Sequence, residues 1–157
     1  MIELRRILVP TDFSKFSEVA ITYAAALAQK FGAEIHLLHV VQDLSVFLPE
    51  AMEAPPPVAL PAEQFLAAAR TAMERSMQHD ALKDLPVRQE IRQGTPFYEI
   101  VLYAKEARID LIVMGTHGHT GLVHVLLGSV TEKVVRKAPC PVLTVRHPEH
   151  GFVHPQS

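Results

Sequence analysis

The chain has 157 residues, of which 48% are hydrophobic and 20% are charged, a composition typical of one globular domain around a single core. Its formal net charge of -2 provides no broad basic field, so we expect neither nucleic acid nor anionic lipid as a partner. No apolar run approaches the roughly 20 residues that cross a bilayer, and the N-terminus lacks the apolar stretch of a signal peptide. We therefore expect a cytoplasmic protein with no membrane partner.

The first part of the chain predicts a strand, a helix and a second strand. Residues 6–11 form a short apolar run, and residues 12–14 supply the side-chain acceptors that open helices. The helix is expected over about residues 16–31, with Gly32 at its C-terminal stop. Residues 35–41 are almost entirely apolar, which predicts a second buried strand.

The middle of the chain begins with five prolines in residues 42–61, which predict a loop whose role the sequence does not assign. Apolar residues at helical spacing predict a second helix within residues 61–83. Residues 87–92 alternate between apolar and polar, as in a half-buried strand. Thr95 is then suited to cap a third helix, and Pro96 to its first position.

The last part predicts a buried strand at residues 111–114, a helix from Ser129 and a final strand at 142–146. Five strands then alternate with four helices, which predicts an α/β fold with a mostly parallel sheet. If the first and fourth strands are neighbours, the strand order is 3-2-1-4-5. We expect one domain over residues 1–147 and a flexible tail over 148–157.

The only cysteine of the chain, Cys140, follows the fourth predicted helix, so an intrachain disulfide is excluded. The surrounding sequence offers neither a base nor an environment that would activate a thiolate. We therefore expect a small packed residue at this position and no catalytic residue.

A glycine-rich segment between the fourth strand and the fourth helix predicts a site for phosphate. Gly115 and Gly118 follow the strand, and Gly128 with Ser129 opens the helix, whose first N–H groups have no partner within it. Neither a GxxxxGK(S/T) loop nor a GxGxxG motif is present, so a nucleotide site here is of another kind. The alternative is that these glycines serve ordinary turns. Asp12, at the end of the first strand, would accept hydrogen bonds from a ribose or cap a helix. In the strand order 3-2-1-4-5, Asp12 and the glycine-rich segment would lie in one crevice at the switch point, where the strand order reverses.

Four segments of the chain resemble the universal stress protein family: ILVPTDFS at 7–14, LHV at 38–40, DLIVMGTHG at 110–118 and residues 126–146. The spacing Gly-x2-Gly-x9-Gly-Ser is similar to that of the family's ATP-binding branch. The resemblance implies a three-layer Rossmann-like (adenine nucleotide alpha hydrolase-like) fold. It also implies ATP, AMP or ADP as ligand, Mg²⁺ with the phosphates, and a homodimer formed through the last strand.

The resemblance further implies individual roles. Asp12 would contact the ribose, Val40 and Met114 would line the adenine slot, and Pro10 and Thr11 would shape its wall. The phosphates would be surrounded by Gly115, His117, Gly118, His119, Gly128, Ser129, Val130 and Thr131. His119 and His124 stand where a basic residue is common in the family, so phosphate affinity is expected to increase as the pH falls.

Three functions follow as hypotheses, and a nucleotide-responsive regulator of the stress response is the leading one. A slow ATP hydrolase is the second, although no lysine or arginine lies between Gly115 and Gly128 to stabilise a leaving phosphate. A nucleotide-independent interaction module working through residues 42–61 is the third. The loop histidines have no nearby cysteine or carboxylate to complete a metal site, and the tail histidines lie in a segment that we expect to be flexible. We therefore expect no metal site, and we assign no catalytic residue.

Overall fold

A parallel sheet of five strands lies at the centre of the protein, flanked on both faces by helices. The computed structural model describes residues 1–42, 62–118 and 127–148. The strand order is β3-β2-β1-β4-β5, which confirms the predicted order and the α/β fold class. The strands are β1 (Arg6–Pro10), β2 (Glu34–Gln42), β3 (Val87–Gly94), β4 (Leu111–Gly115) and β5 (Val142–Val145).

The helices divide into two layers, one on each face of the sheet. In the described ranges they are α1 (Lys15–Phe31), α2 (Ala62–Met77), α3 (Pro96–Glu106) and α4 (Ser129–Lys137), with a 3-10 turn at Asp80–Leu82. On one face, Ile7 of β1 packs in a cluster with Ala24 of α1 and Met73 of α2. On the other, Leu8 packs with residues of α3 and α4. Because successive side chains of a strand point to opposite faces, β1 serves both layers and is apolar throughout.

The register of β1 brings the ends of the sheet's central strands together. Ile7 pairs with Leu111 of β4, and Pro10 pairs with Leu38 of β2. The chain therefore leaves β1 and β4 at the same edge, on neighbouring strands, where connections diverge to opposite faces. That is the place where open α/β sheets bind their ligands.

The boundaries of α1 follow from its capping residues. Ser14 is the N-cap, and its side chain accepts a hydrogen bond from the Ser17 N–H. Gly32 ends the helix at φ 67°, and its N–H donates to the Ala28 carbonyl, as predicted for a C-terminal stop. The left-handed conformation favours glycine because it has no β-carbon.

Several local predictions differ from the structure. Thr95 precedes α3, but its side chain makes no capping hydrogen bond, whereas Pro96 does occupy the first turn. The predicted second helix is divided, because α2 ends at Met77 and a 3-10 turn follows. Buried and exposed residues do not alternate regularly along β3. Arg92, for example, is only partly exposed and forms ion pairs with Glu99 and Glu106.

Cys140 is half-buried and packs against the cluster formed with α3 and α4, as expected for a small packed residue. Burial raises the pKa of its thiol, and the negative charge of Asp110 acts in the same direction. Both effects favour the neutral thiol over the reactive thiolate.

No helix in the described ranges is both long enough and apolar enough to span a membrane.

A buried histidine of β2, His36, is hydrogen-bonded to Tyr103 of α3. His36 is 2% exposed, its Nδ1 lies 2.7 Å from the Tyr103 hydroxyl and its Nε2 lies 3.3 Å from Glu34. Burial lowers the pKa of His36 below its usual 6.5; Glu34 opposes this, while Arg88 and Arg6 add to it. The folded protein therefore holds His36 in its neutral form near neutral pH.

We expect His36 to reduce the free energy of unfolding as the pH falls below 6.5. The unfolded chain then binds a proton that the folded chain does not, so stability decreases by up to about 1.4 kcal/mol per pH unit until the folded pKa is reached. Urea unfolding of the wild type and of His36→Gln between pH 8 and pH 5 measures this. Between pH 8 and pH 5 the free energy of unfolding should decrease more steeply for the wild type than for His36→Gln. The same pH dependence in both proteins would contradict the prediction.

Candidate functional site

A cavity of about 480 Å³ opens at the carboxyl ends of β1, β2 and β4, beside the first turn of α4. This volume lies within the roughly 300–1,000 Å³ of small-molecule sites. The structure brings together all the predicted site residues that it describes: Pro10, Thr11, Asp12, Val40, Met114, Gly115, His117, Gly118, Gly128, Ser129, Val130 and Thr131. The remaining one, His119, lies outside the described residues, as do His124 and the loop at 43–61.

Apolar side chains from three elements line part of the cavity. Val40 and Met114 were predicted there, and Leu38, Phe97 and Ile100 join them. The sequence marks Phe97 and Ile100 as the buried stripe of a helix, but it does not show that α3 lies across the crevice. The result is an apolar wall against which a flat ring could pack.

The Asp12 carboxylate lies between the start of α1 and the glycine loop. Its Oδ1 accepts hydrogen bonds from the Ser14 backbone N–H, at 3.0 Å, and from the Ser14 hydroxyl. Ser14, and not Asp12, is the helix cap, so the capping alternative for Asp12 is wrong. A β-carbon added at Gly118 would lie only 2.5 Å from Oδ2 of Asp12. The acid and the glycine loop therefore meet, as the switch-point prediction requires.

The turn that carries Asp12 is conformationally unusual. Phe13 has a φ of 63°, which is costly for a bulky side chain. Its N–H donates to the Thr11 hydroxyl oxygen at 3.0 Å, and its ring lies 4.3 Å from that of His39. The His39 Nδ1–H donates to the Thr11 carbonyl at 2.7 Å. These contacts hold the turn in place, and neither Phe13 nor His39 was predicted to take part.

The first turn of α4 lines the cavity, and several of its backbone N–H groups have no partner within the helix. The first bond of the helix runs from the Glu132 N–H to the Gly128 carbonyl, so the N–H groups of Ser129, Val130 and Thr131 have no partner within the helix. The Gly128 N–H, in contrast, donates to the Thr116 carbonyl at 2.7 Å. The Gly128 N–H is therefore engaged within the protein, and the N–H groups of residues 129–131 remain for a ligand.

The hydroxyl of Thr131 is also already engaged. It is buried and donates to the Gly115 carbonyl at 2.9 Å, which ties the start of α4 to the end of β4. The neighbouring His117 is 8% exposed, and its Nδ1 lies 3.0 Å from the Thr116 hydroxyl. Side-chain hydrogen bonds therefore hold the residues that follow β4 and the first turn of α4, which are the two described ends of the glycine-rich segment.

This site geometry coincides with a family match over most of the chain. The model of the universal stress protein family matches residues 3–146. The chain belongs to the universal stress protein family. The resemblance inferred from the sequence is thereby confirmed.

Two relatives illustrate the family match. Universal stress protein MJ0531 of Methanocaldococcus jannaschii is 38% identical over 92% of this chain and 84% of its own length. Universal stress protein MJ0577 of the same organism is 34% identical over 90% of this chain and 94% of its own length.

Solved structures share the fold. One of MJ0577 has a TM-score of 0.75 at 32% identity and covers 93% of this chain and 98% of that one. UspA from Lactobacillus plantarum has a TM-score of 0.67 at 33% identity and covers 92% and 99% of the two chains. Some neighbours of this fold bind nucleotides. One universal stress protein was solved with cAMP, at 24% identity and TM-score 0.63, and another, from Archaeoglobus fulgidus, with dAMP, at 19% and 0.65.

One charged residue of this universal stress protein was missed at the cavity. Lys133 lines it from the second turn of α4. No lysine or arginine lies between Gly115 and Gly128, so no permanent cation was predicted at the site. The sequence could have indicated Lys133, because it lies four residues after Ser129 and therefore on the same face of the helix.

A second cavity, of about 370 Å³, lies at the opposite, amino-terminal edge of the sheet and is lined by charged residues. Asp110 accepts hydrogen bonds there from the backbone N–H groups of Arg5 and Arg6, at 2.8 and 2.9 Å. Arg5 also pairs with Glu3 at 2.6 Å. These contacts engage the Asp110 carboxylate and the Arg5 guanidinium with neighbouring groups of the protein.

Proposed function

We propose that this universal stress protein binds ATP at the carboxyl edge of its sheet and acts in the cytoplasm as a nucleotide-responsive regulator of the stress response. One observation carries the proposal. A single cavity combines an apolar wall, a carboxylate and the N-terminus of a helix. These three chemistries match a base, a ribose and a phosphate chain, in that order.

Each part of an adenine nucleotide has a suitable partner among the described residues. Val40 and Met114 would pack on the adenine, and Asp12 would accept hydrogen bonds from the ribose hydroxyls. The N–H groups of 129–131 would donate to the phosphates, with the helix dipole favouring their negative charge. Asp12 is the one carboxylate in the described lining, so Mg²⁺ would enter bound mainly to phosphate oxygens.

The neighbours that bind cAMP and dAMP support this proposal at the level of the fold, since their identity to this chain is low. For the same site we propose binding in preference to efficient hydrolysis. The described lining offers no second carboxylate to orient a water once Asp12 holds the ribose.

The experiment is a calorimetric titration of the purified protein with ATP and with AMP, beside an assay of phosphate release. Saturable ATP binding with negligible release is the expected result, and mass spectrometry of denatured protein should detect any co-purified nucleotide. Binding with rapid release would establish an ATP hydrolase instead. Absence of any binding would refute the proposal and favour the interaction module.

We also propose a homodimer formed through β5. This strand is at the edge of the sheet, and Leu143 on it is 38% exposed. An unpaired edge strand invites pairing with a second copy, which would cover that side chain. Sedimentation at micromolar concentration should show a dimer, and monomer alone would remove this part of the proposal.

A further inference from the structure

Two lysines of α4 lie close to the Phe97 ring at the candidate site. The Lys133 Nζ lies 4.9 Å from the centroid of the Phe97 ring, and the Lys137 Nζ lies 6.0 Å from the same centroid. Phe97 and Lys133 both line the cavity, whereas Lys137, one turn further along the helix, does not. The two lysines therefore share a ring contact but differ in their access to the cavity.

The charge balance of the cavity gives Lys133 a special position. Among the described lining residues it is the one side chain with a permanent positive charge, and Asp12 is the one carboxylate. Within the described ranges the Lys133 ammonium contacts an aromatic ring and forms no ion pair with a carboxylate. Its charge is therefore not neutralised by a neighbouring acid.

An ammonium on a ring can be redirected to a stronger partner. A lysine ammonium beside a partly exposed ring such as that of Phe97 gains less free energy than it does in a hydrogen bond to an anionic oxygen. The four-carbon stem of lysine is flexible, so the ammonium can exchange one partner for another while α4 stays in place. The same helix offers its N-terminus to anions one turn earlier, so both features favour negative charge on the ligand.

We infer that Lys133 is the cation of this site that recognises the phosphate chain, and that it makes the site prefer adenosine polyphosphates over AMP and adenosine. This inference rests on the proposed function, since it assigns a specificity to the same cavity. The sequence between Gly115 and Gly128 contains neither arginine nor lysine. Lys133 would supply from the helix a permanent positive charge, whereas the loop sequence carries only histidines, whose charge depends on pH.

The test is calorimetric titration of the wild type, Lys133→Gln, Lys133→Arg and Lys137→Gln with ATP, ADP, AMP and adenosine. Lys133→Gln should weaken ATP binding by about tenfold, as expected for loss of one charged hydrogen bond. It should weaken AMP less and leave adenosine unchanged. Lys133→Arg should retain the preference for ATP. Lys137→Gln is the matched control, because it removes a charge from the same ring, and it should leave all four affinities unchanged.

The outcomes separate this inference from the proposed function. If the wild type binds ATP and Lys133→Gln leaves the ratio of ATP to adenosine affinity unchanged, the inference is overturned while the proposed function stands. An equal loss with adenosine would also overturn it, since Lys133 would then act by supporting Phe97. A wild type that binds none of the four compounds overturns both. Raising the salt concentration should reduce the effect of Lys133→Gln on ATP, because screening weakens the lost interaction.

Discussion

Gly118→Val is expected to abolish measurable ATP binding while the protein remains folded. A β-carbon at Gly118 would lie 2.5 Å from Oδ2 of Asp12, far inside contact distance. Either the carboxylate or the loop must move, and the proposed ribose contact is lost with the displacement. We expect at least about a hundredfold weaker binding, or about 2.7 kcal/mol. Calorimetry with ATP measures the affinity, and urea unfolding measures the stability.

Gly128→Val provides a graded comparison for this result. A β-carbon at Gly128 would lie 3.3 Å from the Thr116 carbonyl oxygen, a tight contact that a small shift can relieve. We therefore expect weaker ATP binding than in the wild type but a smaller loss than for Gly118→Val. Wild-type affinity in both variants would show that the assignment of the site is wrong.

Gly115→Ala is expected to destabilise the fold by about 2–3 kcal/mol, in the upper part of the roughly 1–3 kcal/mol that overpacking an interior costs. The added β-carbon would lie 2.8 Å from the Phe16 carbonyl oxygen and 3.2 Å from its carbon. Those atoms belong to the backbone of α1, which is packed on the sheet. Gly115 itself pairs with Val145 in the β4–β5 register, so neither side can move freely. Urea unfolding of the variant and the wild type measures the difference.

Gly118→Ala is the matched control for Gly115→Ala. It adds the same methyl group three residues later, against a side chain instead of a helix backbone. Gly115→Ala should mainly lower the free energy of unfolding, and Gly118→Ala should mainly lower the affinity for nucleotide. A Gly115→Ala protein as stable as the wild type would mean that α1 and β4 are not held as closely as described.

The sequence was sufficient to predict the layout of the sheet and the meeting of Asp12 with the glycine loop. Apolar runs that are buried on both faces identify parallel strands, and the crossover rules then leave few possible orders. Gly32 was predictable because a left-handed helix end has few acceptable residues. These features depend on local chemistry, which a single sequence contains.

Other parts of the site depend on packing between distant segments. Phe97 and Lys133 reach the cavity only because α3 and α4 pack side by side on one face of the sheet. The bond from the Gly128 N–H to the Thr116 carbonyl and the left-handed Phe13 are likewise tertiary results. Periodicity identifies which side of a helix is buried, but not which partner covers it. Binding of ATP, the role of each site residue and the dimer remain predictions.

The bonds that secure α4 determine how a ligand must approach it. The Gly128 N–H is held by Thr116, and the Thr131 hydroxyl is held by Gly115. The first helical turn is therefore anchored to β4 before any anion arrives. Its three remaining N–H groups have fixed directions, so little backbone entropy is lost on binding. If a phosphate binds here as proposed, we expect the ligand to adjust its position and the start of the helix to stay as it is.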